Sequence, residues 1–272
     1  MKLSDLILRL AGEKTSPGLR ATWNATRTHL NAMPGGATIS LTRITPAWLR
    51  AFLSHLEAQN LKPGSRATYF SKVVAALSFA FREKLIRENP AENLNAPPRP
   101  ETQREYLSLT ELKQLAAAPC ENESLKRAFL FSALTGLRWS DVIALGWENL
   151  RQTETGTVLR FSQRKTGFSE TLPISDQATA LLGNRNTKQP FAGLAYSSWT
   201  NSILKKWLRV AAVFRRVTFH AARHTFATLQ LNAGTDLYTL SRLLGHRDIK
   251  TTQIYAHLSD QRKTEAVNRI QL

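Results

Sequence analysis

Tyr255 lies between His246 and His257 in the stretch LLGHRDIKTTQIYAHLS, residues 243–259. A phenol is a weak nucleophile at neutral pH: with a reference pKa near 10, deprotonating it at pH 7 costs roughly 4 kcal/mol at about 1.36 per pKa unit. Tyr255 can do chemistry only where neighbours take its proton and stabilise charge on the group it attacks. The rest of the chain holds residues of those types. In RVTFHAARHTFATLQLNAG, Thr218 is expected to cap a helix that ends before Gly234. That helix sets His220 and Arg223 at i and i+3, on one face and roughly 5 to 6 Å apart. An arginine presents a forked, permanently charged donor to phosphate oxygens, and an imidazole moves a proton near neutral pH. His224 lies one turn beyond His220, but the glutamate of an HExxH helix is missing and no carboxylate follows nearby. No metal is expected there, and His224 is read as an orienting or packing residue. Arg138, in TGLRWSDVIAL, follows a helix-ending glycine and precedes a short helix capped by Ser140-Asp141. A short loop of this kind presents a side chain rigidly, and Asp141 either holds the arginine or caps its own helix. Lys165, in QRKTG, is a point charge on a mobile arm, suited to protonating a departing oxygen.

Composition narrows the partner of such a site. The chain has 272 residues and a formal charge of +17. Residues 1–100 carry 14 Lys and Arg against 6 Asp and Glu, and residues 101–272 carry 23 against 14. The excess is therefore spread over both halves rather than gathered in a tail. A polyanion touching both halves explains this, because each phosphate contacted releases condensed counterions, and nucleic acid is the leading partner. The single cysteine, Cys120, excludes a disulfide framework within the chain and any cysteine-rich metal site. No segment approaches the length of a membrane span and the N-terminal stretch lacks a signal-peptide pattern, so a cytoplasmic protein with no membrane partner is expected.

The elements that must position these residues are mostly helical. Ser16-Pro17 and Thr45-Pro46 each read as an N-cap followed by an N1 proline, and a third helix opens near Ser65 with Tyr69, Val73, Ala76, Leu77 and Ala80 on one stripe. The proline-rich NPAENLNAPPRPETQRE follows as a linker. Ser108-Leu-Thr-Glu111 is a capping box, and the next long helix ends at Gly136. Between Trp147 and Ile174 the period changes: TVLRFSQ and ETLPI predict a small antiparallel sheet with Lys165 at or beside a hairpin turn. Helices resume from Ser197, broken at Gly234 and Gly245, with His246 opening an exposed turn. The fold class expected is mainly α with a small antiparallel β-sheet in the second of two domains. The boundaries expected are a helical domain at 1–95, a linker at 96–106 and a catalytic domain at 107–272.

Taken together, TGLRWSDVIAL, QRKTG, HAARHTFAT and LLGHRDIKTTQIYAH resemble, in order and spacing, the signature boxes of the tyrosine recombinase (phage integrase) family. Each box is weak singly, and the set is specific. The resemblance runs from about residue 105 to the end and, more loosely, over the helical first half, which is similar to that family's core-binding domain. It implies Arg138, Lys165, His220, Arg223, His246 and Tyr255 as the catalytic set, with Tyr255 the nucleophile and no position substituted. Trp139 replaces a smaller apolar residue, a change expected to touch packing alone. The resemblance further implies a 3′-phosphotyrosyl intermediate, strand exchange without cofactor, metal or ATP, and a chain monomeric in solution that assembles as a homo-tetramer on two DNA sites. It implies packing of the last segment, SDQRKTEAVNRIQL, onto a neighbouring protomer, with a frayed polar tail as the alternative, whereas the chain departs from many members in leaving no room expected ahead of the first helices for an arm-binding domain. Two rival readings are a type IB topoisomerase, which uses a similar constellation, and a non-catalytic DNA-binding module.

Overall fold

The computed structural model describes residues 1–94, 97, 104–162, 167 and 169–255. The chain divides into two compact units, Met1–Thr102 and Gln103–Leu272. Among the described residues no helix is long and apolar enough to cross a membrane.

The described residues of the first unit are built on four α-helices, α1 (Leu3–Gly12), α2 (Pro17–Ala32), α3 (Pro46–Ala58) and α4 (Pro63–Arg82). Helix α1 was not marked by a cap in the sequence, and its own pattern explains it. Leu3, Leu6, Ile7 and Leu10 fall at i, i+3, i+4 and i+7 and are all buried, packed with α2 and α4. Thr45 caps α3 by accepting the Trp48 amide, whereas Ser16 precedes α2 without a side-chain cap bond. Helix α4 starts at Pro63, earlier than the serine-based expectation, because a proline's fixed φ and missing N–H suit the first helical position. Of its expected stripe, Val73, Ala76, Leu77 and Ala80 are buried, whereas Tyr69 is only half-buried and the neighbouring Phe70 fills the core instead.

The second unit opens with α5 (Leu109–Ala117), where Ser108 and Glu111 form the expected capping box. Helix α6 (Glu123–Thr135) follows and ends at Gly136, whose φ is 72°. The short α7 (Trp139–Val142) corrects one expectation: Arg138 occupies the cap position, without a side-chain cap bond, and Ser140 and Asp141 lie inside the helix. Three antiparallel strands, β1 (Leu150–Thr153), β2 (Gly156–Ser162) and β3 (Ser169–Ile174), are ordered β1-β2-β3. The register aligns Leu150 with Leu159 and Leu159 with Leu172, so all three leucines share the buried face. Lys165 falls between β2 and β3 and lies outside the described residues, as do His257 and the final segment.

Helix α8 (Asp176–Ala180) and α9 (Ser198–Val210) lead to α10 (His220–Asn232), which packs along α6. Phe129 of α6 meets Trp207 and Phe219 edge-on, at 5.7 and 5.6 Å between ring centres, and anchors the core. Trp139 joins it with its ring 4.5 Å from Phe219, the packing role expected of it. Helix α10 begins without a side-chain cap: Thr218 contributes its carbonyl to Ala221 instead of its hydroxyl. Helices α11 (Leu237–Leu243) and α12 (Lys250–Gln253) complete the described chain. They carry a small separate cluster in which Leu240 and Leu244 meet Phe226 and Tyr255.

The segment that enters this unit is tied down twice. The Leu107 amide donates to Thr225 Oγ1 on α10 at 2.8 Å. Arg215 grips Glu105 at 3.1 Å, the Tyr106 carbonyl at 2.7 Å and both carboxylate oxygens of Glu111. Bonding to Arg215 pulls the Glu111 pKa from 4.5 to about 2. A carboxyl depressed on folding adds stability above its unfolded pKa and loses it as pH falls through the folded value. Glu111→Gln keeps the capping box but removes the charge, so its melting temperature should fall less steeply than the wild type's between pH 4.5 and about 2. Parallel melting curves in that window would show that the pair contributes nothing to the entry segment.

Candidate active site

Arg138, Arg223, His246 and Tyr255 converge in the second unit, each brought there by a different local device. Gly136 provides the first. Its left-handed backbone turns the chain out of α6, and a Cβ there would sit 2.6 Å from Phe226 Cδ1 and 2.9 Å from Leu244 Cδ2. The turn delivers Arg138 to the head of α7, its Nη1 lying 3.8 Å from the buried Asp141 carboxylate, so Asp141 supports the arginine electrostatically. The same turn aims the Gly136 carbonyl inward, where it accepts from Arg223 Nη1 at 2.7 Å.

Arg223 is buried on α10, with Nη2 donating to the Leu244 carbonyl at 2.8 Å and meeting His246 Nε2 at 2.8 Å. A guanidinium has no acceptor, so Nε2 must accept. His246 then carries its hydrogen on Nδ1 and donates it to Thr252 Oγ1 at 2.7 Å. Thr252 is fully buried, and nothing in its sequence context marks it as a support for the histidine. Burial, followed by the neighbouring Arg138 charge, lowers the Arg223 pKa to about 10, which leaves it cationic at neutral pH. Arg138, Arg223 and Arg242 line one small cavity with Asp141 and Glu170. Arg242 was not marked as a site residue, because nothing in its helical context sets it apart from a surface arginine.

Tyr255 follows α12 and is only 2% exposed. Burial raises its pKa, while the charges of Arg223, Arg104 and Arg138 act in the opposite direction. Its hydroxyl lies 2.8 Å from Nδ1 of His224, the residue assigned to orientation or packing from spacing alone. His220 sits on the outer side of His224, the rings meeting edge-on at 4.7 Å. Burial first, and then the facing His220, hold the His224 pKa down at about 3, so this ring is neutral at physiological pH. Arg104, from the entry segment, is a further charge felt at both Tyr255 and His224. Sequence proximity gives no hint of it.

The phage integrase family model matches residues 105–262, more than half the chain, and the phage integrase SAM-like domain model matches residues 6–96. The chain belongs to the tyrosine recombinase, or phage integrase, family. Among tyrosine recombinases, it is 32% identical over 238 residues to XerD of Pseudomonas aeruginosa, covering 78% of each chain. It is 30% identical over 233 residues to XerD of Lacticaseibacillus casei, again covering 78% of each. The fold is that of a lambda integrase dimer bound to a COC′ core site, with a TM-score of 0.76, 19% identity and 93% of each chain covered. A mainly helical tyrosine recombinase with a three-stranded antiparallel sheet in its catalytic part is thus what the chain is.

Proposed function

We propose that the chain is a site-specific tyrosine recombinase that cleaves and rejoins double-stranded DNA through Tyr255. The observation carrying this reading is the convergence of two cationic arginines, Arg138 and Arg223, beside a tyrosine whose hydroxyl is already hydrogen-bonded to an imidazole. Tyr255 Oη attacks the scissile phosphorus and displaces the 5′ oxygen, leaving a 3′-phosphotyrosine. Arg138 and Arg223 stabilise the non-bridging oxygens as negative charge accumulates. His246 holds Arg223 from one side, and the proton released from Tyr255 as its oxygen bonds to phosphorus leaves by way of His220, which is exposed at the rim, to solvent. Lys165 protonates the departing 5′ oxygen. Exchange of one phosphoester for another conserves the bond energy, so ATP is not required, and the arginines provide the charge a metal would otherwise bring.

Joining two duplexes requires four strand cleavages, hence four tyrosines and a tetramer assembled on two sites. The dimer of lambda integrase on one core site supports two protomers per site. Residues 1–95 act as the core-binding domain, 96–106 as the linker and 107–272 as the catalytic domain, with the basic charge of both halves directed to the DNA. The test is a nicked suicide duplex, which traps the covalent complex, run beside a two-site recombination assay. Relaxation of supercoils without joining of separate duplexes would replace this reading with a topoisomerase.

Binding should weaken steeply with salt. For a protein making about 6 to 10 phosphate contacts, affinity drops about 10³- to 10⁵-fold between 50 and 200 mM salt. A flat profile in a filter-binding or anisotropy titration would mean that the +17 charge is not what holds the DNA.

A further inference from the structure

We propose that His224 is the positioning residue for the nucleophile, its Nδ1 accepting the Tyr255 O–H so that the oxygen's lone pairs remain open toward Arg138 and Arg223. The proposal rests on Tyr255 being the nucleophile and deepens that reading. Three observations carry it. The Nδ1 to Oη distance is 2.8 Å, inside the protein, and both residues are buried. His220, three residues before Arg223, is exposed and meets His224 edge-on, so it bounds the buried ring on its outer side. The backbone around His224 is anchored at the next residue, where Thr225 Oγ1 accepts the Leu107 amide.

The geometry matters because a phenol turns freely about its C–O bond and Tyr255 stands at the end of a four-residue helix. Packing against Phe226, Leu240 and Leu244 seats the ring but does not set the direction of its O–H. A fixed acceptor on the rigid α10 defines where the O–H points and where the lone pairs do not. A neutral imidazole has one bare nitrogen, which is Nδ1 in the Nε2–H tautomer of this arrangement, and a ring that stays neutral down to about pH 3 keeps that nitrogen free of a second hydrogen throughout the physiological range.

Because the contact is made by Nδ1 and not Nε2, two amide substitutions separate geometry from packing. Asparagine places its carbonyl oxygen near the position of Nδ1, whereas glutamine places it near Nε2. Single-turnover cleavage of a nicked suicide duplex at saturating DNA should slow about 100-fold in His224→Ala and His224→Gln, the scale of a misplaced reacting group. His224→Asn should recover most of the rate. The dissociation constant for uncleaved duplex should be the same in all four proteins, and each rate is taken below the variant's own melting transition. Equal rates for Asn and Gln, or a wild-type rate in His224→Ala, would overturn the proposal, since a packing loss strikes both amides alike. A wild-type protein that forms no covalent complex would instead remove the tyrosine-nucleophile reading itself, so the two failures are distinguishable.

Discussion

Tyr255→Phe abolishes covalent attachment to a nicked suicide duplex and leaves binding of the intact duplex unchanged. The ring keeps its place against Phe226, Leu240 and Leu244, so the cluster that seats it is preserved. Only the oxygen is removed. Its loss leaves His224 Nδ1 without the Tyr255 partner in a buried setting, which costs about 1 to 3 kcal/mol at most. A small fall in melting temperature is therefore expected, together with complete loss of the protein–DNA adduct on denaturing gels. An adduct that persists in the variant would assign the nucleophile elsewhere. A related result follows from the burial that raises the Tyr255 pKa. In a difference ultraviolet titration of wild type against Tyr255→Phe, no tyrosinate signal from this residue should appear through neutral pH. On the proposed mechanism the proton leaves only as the oxygen bonds to phosphorus.

The second large effect is at Arg223, and here stability and chemistry fall together. Arg223→Ala strands the Gly136 and Leu244 carbonyls that the guanidinium satisfies, at about 1 to 3 kcal/mol for each buried group left unpaired. On the proposed mechanism it also removes a fixed charge from the transition state, a loss on the order of 10² to 10³ in rate for one preorganised donor. Arg223→Lys separates the two contributions. It restores a cation but not the fork that reaches two carbonyls and a histidine at once. Cleavage should remain at least ten times slower than in the wild type at saturating DNA, on the order of the roughly tenfold that about 1.4 kcal/mol represents. Wild-type cleavage in Arg223→Lys would show that charge alone, without the forked geometry, suffices.

The helical character of both halves was legible in sequence because caps and periodicity are local signals. Thr45, the Ser108-Glu111 box and Gly136 each act within one turn of where they stand. The small sheet was legible for the same reason, through the alternation and the β-branched and aromatic residues of TVLRFSQ and ETLPI. The failures were local competitions between similar signals. Pro63 outranked Ser65 as a helix start, and Arg138 took the cap position that the Ser140-Asp141 pair suggested. At the site, the residue types were visible but their pairing was not. Spacing places His220 and His224 on one helical face but does not say which ring meets a tyrosine 31 residues further along the chain. Thr252 behind His246, and the charge of Arg104 near Tyr255, depend on tertiary contacts for which the sequence carries no periodic signature.

The three acceptors around Arg223 come from two distant parts of the chain, with Gly136 lying 87 residues before it and Leu244 and His246 lying 21 and 23 after. During synthesis, the arginine emerges long before its last partners do. A nascent chain halted anywhere short of residue 244 can fold its first helices and carry a strongly basic surface, yet its guanidinium has no completed seat and its tyrosine does not exist. Completion of the arginine's seat is thereby deferred until the last parts of the chain have been delivered.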